Sequence, residues 1–232
     1  MRVFFLFCAL LLSPASFAWD QFHSEADPTL KTDNIWTQTT FKKNDHAIRS
    51  AFRVWYPAKP QILWKVLTDT NLWKEIHSDY KDSQTLDKQR YDLVAEEKPH
   101  DIKAYHDIVG NAQFPSDYGR IPGGIWMSYD MQEFNFPWPF ADRWAVMKVK
   151  NDESDAKKGV YHYEYKMVAG NFRESRGYWE ILPLPDKPGW SEFRGEYRAD
   201  PGIETPQFLT RALFKSSLKK AREENLKELE KK

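Results

Sequence analysis

The residues able to do chemistry are scattered through this chain, and their spacing argues against most catalytic reactions. The histidines are His23, His46, His77, His100, His106 and His162. His100 and His106 lie six residues apart, which along an extended strand is about 20 Å, too far to share one metal ion. His162 and Glu164 share a strand face, but no third ligand is near them in sequence. No metal and no cofactor are therefore expected. There is no Gly-x-Ser-x-Gly elbow and no phosphate-binding glycine loop, and Ser191 and Ser216 have no base indicated beside them. Acid–base work would fall to Asp130 or Glu133, if either projects into an interior cavity, or to His106. Surface carboxylates are the simpler reading of the first two.

A binding pattern stands out in the last third. The turn Phe136-Pro137-Trp138-Pro139-Phe140 leads into alternating strands at 144–150, 160–168 and 177–183, the last with a continuation at 190–199, and then into one long helix. Alternate residues of a strand share a face. Tyr161, Tyr163, Tyr165 and Met167 therefore lie together, opposite His162, Glu164 and Lys166. The charged set marks the outside. An unpaired buried hydroxyl costs about 1–3 kcal/mol, so several inward tyrosines in a dry core need as many partners. A cavity holding water or a ligand satisfies them more easily. Arg143, Arg194 and Arg198 are candidates to hold a carboxylate or phosphate head at its mouth, with surface ion pairs as the ordinary alternative. Trp138 is expected to pack rather than to meet a membrane.

These side chains need a scaffold. Of 232 residues, the first 18 differ from the rest: Arg2, an apolar run over 3–12, then Ser16-Phe17-Ala18. This predicts a secretory signal cleaved before Trp19, since the run falls short of the roughly 20 residues that span a bilayer. Cys8, the single cysteine, lies inside it. The mature chain then has neither disulfides nor thiol chemistry and must rely on its core. Lys plus Arg and Asp plus Glu both number 34, a balance that argues against nucleic acid as a partner. Residues 19–33 read as a polar leader. Strands at 35–41 and 48–56 read as a hairpin. Two short helices follow at 61–68 and 72–76. Further strands are expected within 83–97, at 102–109 and at 125–136. The helix from Pro206, capped by Thr205, carries a stripe of Leu209, Ala212, Leu213, Ser216 and Leu218; beyond Lys219 its charged end is expected to be solvated.

This order resembles the helix-grip fold of the START-like superfamily of lipid-transfer domains, polyketide cyclases and plant pathogenesis-related proteins. The resemblance covers about residues 48–220. It rests on Phe52-Arg53-Val54 with Gln61-Ile62-Leu63-Trp64-Lys65-Val66-Leu67-Thr68-Asp69. It rests further on Phe136-Pro137-Trp138-Pro139-Phe140-Ala141-Asp142-Arg143, on Gly177-Tyr178-Trp179-Glu180-Ile181-Leu182-Pro183, on Tyr197-Arg198-Ala199-Asp200-Pro201-Gly202 and on Thr205-Pro206-Gln207-Phe208-Leu209. The Pro/Gly-rich stretch 114–124 departs from it and reads as a longer gate loop.

The resemblance implies an α+β fold in which a curved antiparallel sheet wraps a long C-terminal helix, as one domain over 19–232. It implies a hydrophobic ligand, lipid or sterol-like, in a cavity lined by Met127, Tyr129, Met131, Met147, Tyr161, Tyr163, Tyr165, Met167, Trp179, Phe193, Tyr197, Leu209 and Leu213. The expected protein is exported, periplasmic, monomeric and in transient contact with membranes. A START-like enzyme acting on a hydrophobic substrate, and an envelope interaction protein without a ligand, are the alternatives.

Overall fold

The structure is a computed structural model that describes residues 35–41, 47–136, 141–203 and 206–232. The expected signal, the leader, most of the Pro-Trp-Pro turn with Trp138, the Thr205 cap and the side chain of Leu209 lie outside the described residues.

In chain order the elements are β1 (Ile35–Phe41), β2 (Ile48–Tyr56), α1 (Pro60–Leu67), α2 (Thr70–Ile76), β3 (Tyr80–Thr85), α3 (Lys88–Glu97), α4 (Ile102–Val109), β4 (Ile125–Phe134), β5 (Arg143–Asp152), β6 (Tyr161–Gly170), β7 (Glu174–Pro183), β8 (Ser191–Asp200) and α5 (Gln207–Leu229). The strands form one curved antiparallel sheet in the order β1-β2-β8-β7-β6-β5-β4-β3. Pairing of β2 with β8 joins the early hairpin to the late meander, with Phe52 opposite Gly195 and Val54 opposite Phe193. The stretch read as a continuation of the third strand is a strand of its own, β8, folded back on β7.

Two cores lie on opposite faces of this sheet. On the inner face Phe52, Val54 and Tyr56 of β2, Met147 and Val149 of β5, Tyr161 and Tyr163 of β6, and Trp179 and Ile181 of β7 pack with Leu63, Trp64 and Leu67 of α1. On the outer face Tyr129 and Met131 of β4, Trp144 and Val146 of β5 and Ala169 of β6 pack with Val94 of α3 and Tyr105 and Val109 of α4. The strand expected at 102–109 is thus helix α4. Asp101 caps it, accepting from the Ala104 N–H at 2.7 Å, and Ile102, Tyr105 and Val109 fall on one face. The strand expected within 83–97 ends at Thr85; Asp87 then caps α3 through the Arg90 N–H at 2.9 Å.

The second core overturns part of the expected cavity lining. Met127, Tyr129 and Met131 lie on the outer face, beneath α3 and α4. The strand is covered on both sides, so the more apolar of its two faces was no guide to the interior. The inner face of β4 instead carries Trp126, Ser128, Asp130 and Gln132, all buried.

Helix α5 also departs from expectation. Ala212, Leu213 and Ser216 of the expected stripe are exposed, and Phe208 is 74% exposed. The inward stripe is Thr210, Phe214, Leu218, Asn225, Leu226, Glu228 and Leu229. The end expected to be solvated is the docked end. There Arg222 Nε donates to the Trp55 carbonyl at 3.0 Å, Asn225 Nδ2 to the Tyr56 hydroxyl at 3.2 Å and Ser78 Oγ to Glu224 at 2.7 Å. Glu224 also meets His77 Nδ1 at 3.1 Å, and Lys220 is paired with Asp79. A charged run therefore marked a polar interface with α2 and the β2 end rather than a solvated tail.

Candidate functional site

The inner face divides into a sealed half and an accessible half. In the sealed half the Trp64 ring stacks on Tyr161 with centroids 5.1 Å apart, and Trp179 stacks on Tyr163 at 4.2 Å. Trp179 fits because its neighbour on β8 is Gly195: a Cβ there would come within 2.7 Å of the Trp179 Cβ. Gly177 likewise makes room for Tyr165, whose ring would lie 2.8 Å from an added Cβ. Of the expected lining, Met147, Tyr161, Tyr163 and Trp179 are buried in this half.

In the other half, Tyr165, Met167, Phe172 and Phe193 pack on the core yet stay partly accessible, as do Phe214 and Leu218 of α5 above them; Tyr197 is partly accessible too. Tyr80, Phe134 and Phe172 continue the wall, with centroids 4.9 and 5.7 Å apart. Tyr197 meets Phe214 at 5.0 Å. Burial raises the Tyr80 and Tyr165 phenols above their ordinary value and pushes Tyr197 up to about 12. These phenols are desolvated although their residues stay partly accessible, as side chains covered from one side by α5 would be. Of the expected lining residues, Tyr165, Met167, Phe193 and Tyr197 meet here; Leu213 points away from it.

The inward phenols find their partners within the protein. Tyr163 donates to Asp130 at 3.4 Å, Tyr165 bonds Ser175 and Tyr197 bonds Ser50. The protein supplies these partners itself. What sets Tyr165 and Tyr197 apart is partial accessibility beneath α5, a property of helix placement that strand alternation does not encode.

Of the three arginines, Arg194 and Arg198 sit on the outer face of β8, opposite in parity to Phe193 and Tyr197. Arg194 pairs with Glu180 at 2.8 Å and Arg198 with Glu174 at 2.8 Å, part of a ladder that includes Arg53 and Glu192, also at 2.8 Å. Arg143 stands at the start of β5, over the Phe136 ring at 5.7 Å, and donates to the carbonyls of Pro201 and Ala141 at 2.8 and 2.9 Å.

The gate-loop region is fastened. Glu153, buried, accepts from Trp64 Nε1 at 2.9 Å and from Arg120 at 2.9 and 3.1 Å. Burial alone would raise the Glu153 carboxyl; these bonds bring it below its ordinary value. Asn71 donates to the Phe114 carbonyl at 2.6 Å, and Ser116 to Asp69 at 2.6 Å.

The candidate acid–base groups separate. His106 is exposed on α4, and Glu133 faces outward, 3.0 Å from Lys81. Asp130 is buried on the inner face, and burial pushes its carboxyl up to about 7, against hydrogen bonds from Thr70, Tyr163 and Ser128. Among the described residues no three metal-ligating side chains come together.

A curved antiparallel sheet closed by one long C-terminal helix defines the helix-grip, START-like fold. Solved structures with this architecture are similar at low identity. The STAR-related lipid transfer protein of Xanthomonas axonopodis is 15% identical over 86% of this chain and 93% of its own, with a TM-score of 0.53. The human StarD13 lipid transfer and protein localization domain is 13% identical over 84% and 85%, at 0.55. Human STARD10 is 12% identical over 86% and 72%, at 0.55. No protein-family model matches the sequence, and no curated protein matches it.

Proposed function

We propose that this chain binds the apolar body of a lipid or sterol-like molecule in the recess between Tyr165, Met167, Phe193 and Tyr197 and the overlying half of α5, and carries it between membranes of the periplasm. The observation that carries this reading is a set of large apolar side chains that pack on the core yet stay accessible beneath α5. Lipid transfer is what the names of the Xanthomonas protein and the StarD13 domain describe. Each apolar Å² taken from water would contribute roughly 25 cal/mol.

Access comes from α5 rather than from the 110–124 region: that region is tied to α1, α2 and Glu153 by short polar bonds, while the first half of α5 meets the sheet through the rings of Phe41 and Tyr197. That half is suited to a membrane. From Gln207 to Arg222 it has no acidic residue, and exposed Phe208 and Leu213 are interspersed with Arg211, Lys215 and Lys219. No helix of the described residues is long and apolar enough to cross a bilayer, so contact would be with its surface. The chain acts as a monomer with no cofactor.

Native mass spectrometry after gentle purification, with lipid extraction, tests binding: one hydrophobic molecule per chain is expected. An apo crystal structure with the recess filled by side chains, and no co-purified lipid, overturns it. N-terminal sequencing of periplasmic protein is expected to begin at Trp19.

Asp130 favours one alternative, a START-like enzyme of the cyclase or hydrolase kind, because a buried carboxyl near 7 suits proton transfer. Turnover of a hydrophobic substrate that persists in Asp130→Asn removes this alternative.

A further inference from the structure

Four buried polar atoms lie without a hydrogen-bond partner among the described residues on the inner face of three neighbouring strands, as two cross-strand pairs on either side of Ser128: Thr85 Oγ1, Asp130 Oδ1, Asn151 Oδ1 and Trp126 Nε1. Thr85 and Asp130 are opposite one another on β3 and β4, and Trp126 and Asn151 are opposite on β4 and β5. All four residues are at most 4% exposed. The links around them are long: Ser128 Oγ donates to Asp130 Oδ2 at 3.4 Å and accepts from Asn151 Nδ2 at 3.2 Å. Tyr163 connects this cluster to the recess, since its hydroxyl reaches Asp130 and its ring neighbours Tyr165 at 6.1 Å.

Three of the four atoms are oxygens able to accept, one of them on a carboxylate. No Lys, Arg or His is among the groups acting on Asp130. A buried acceptor left unpaired carries a penalty that a donor removes, while an anion placed beside a buried carboxylate is repelled with no cation to offset it.

We propose that these atoms form the polar end of the ligand site, and that they select an apolar molecule ending in a hydroxyl over one ending in a carboxylate or phosphate. The inference rests on the binding function proposed above and specifies its ligand. The hydroxyl donates to Asp130 Oδ1, its own oxygen is free to accept from the Thr85 hydroxyl opposite on β3, and the hydrocarbon extends past Tyr163 toward Met167. This moves head-group recognition away from the arginines, two of which are neutralised on the outer face.

The test is calorimetric titration of the full mature chain with dodecanol and with dodecanoate at about pH 8, where Asp130 is mostly ionised. Dodecanol is expected to bind about tenfold or more tightly than dodecanoate, the scale of one hydrogen bond to a charged group. Asp130→Leu is expected to erase that preference. Thr85→Val, a near-isosteric change that keeps the fold if Asp130→Leu does not, is expected to shrink it severalfold. Equal binding of both probes, tighter dodecanoate, or an unchanged preference in both variants overturns the inference while leaving the recess intact. Binding of neither probe overturns the lipid-binding function itself.

Discussion

Asp130→Asn should make this protein more stable at neutral pH, and the size of the gain follows from burial. The Asp130 carboxyl is pushed from the ordinary 3.8 up to about 7, by desolvation first. The folded state therefore holds its proton more tightly than the unfolded state does. Between those two values the folded chain binds more protons, so stability falls as pH rises from about 4 to 7 and levels off above. A displacement of about three pH units corresponds to roughly 4 kcal/mol lost at high pH. Asparagine is isosteric and does not titrate. Its carbonyl oxygen can keep the bonds that Oδ2 accepts from Ser128 and Tyr163, and its amide then takes the Oδ1 position, across from Thr85 Oγ1. Urea unfolding of both proteins at intervals from pH 4 to 8 reads the effect. Every other titrating group is common to the pair, so the difference isolates residue 130. The variant's advantage should grow by about 4 kcal/mol across the range. An advantage that does not change with pH would refute the reasoning, since it would mean that Asp130 titrates alike in both states.

Three further outcomes are expected. Met131→Ala should destabilise by about 2–5 kcal/mol and leave ligand affinity unchanged, because Met131 packs under α3 and α4; a loss of affinity at equal folded fraction would place it in the site after all. Glu153→Ala, which strands the Trp64 indole N–H and Arg120, should cost about 3 kcal/mol and speed amide hydrogen exchange at 110–124; unaltered exchange there would show the loop is held otherwise. Burial lowers the His77 imidazole below its ordinary 6.5, and bonds from Ser78 and His77 outweigh burial to lower Glu224. Both groups bind protons more readily when unfolded, so their contribution is present above about pH 6.5 and is lost as pH falls, His77 first and Glu224 below about 4.5. Exchange at 218–229 should accelerate on acidification, and His77→Phe should remove the upper part of that dependence; an identical profile in the variant counts against it.

The late meander was readable because its inner and outer faces differ in kind: Tyr161, Tyr163 and Tyr165 alternate with His162, Glu164 and Lys166, and a period of two admits one solution. The same logic failed at β4, where α3 and α4 bury Met127, Tyr129 and Met131 on the face opposite the recess. Alternation states that two faces differ, not which neighbour covers each. In α4 the helical signal is present in sequence, as Asp101 at its cap and Ile102, Tyr105 and Val109 at helical spacing, beneath an alternation that also suits a strand. Asp130 is visible in sequence as a carboxylate on β4, but its burial depends on α2 contributing Thr70 from a distant stretch of sequence. In α5 charge does not mark solvent: Lys220 and Glu224 meet Asp79, His77 and Ser78 in the turn after α2, and Arg222 meets Trp55 of β2. Polar pairing across an interface leaves no periodicity that distinguishes it from hydration.

The docking of α5 at one end has a mechanical consequence. From Glu224 back to Phe208 is sixteen residues, a rigid arm of about 24 Å at 1.5 Å per residue. A tilt of about 20° around that fulcrum displaces the Phe208 ring by about 8 Å, more than the thickness of a lipid chain. The side chains at the pivot barely move. If the proposed membrane contact loads the tip, a small rotation there would be amplified into an opening while the bonds of the anchor stay in place. Docking strength and opening amplitude are thereby separated along one element: substitutions near 222–225 set the stiffness of the joint, and those near 208–215 set the load it feels.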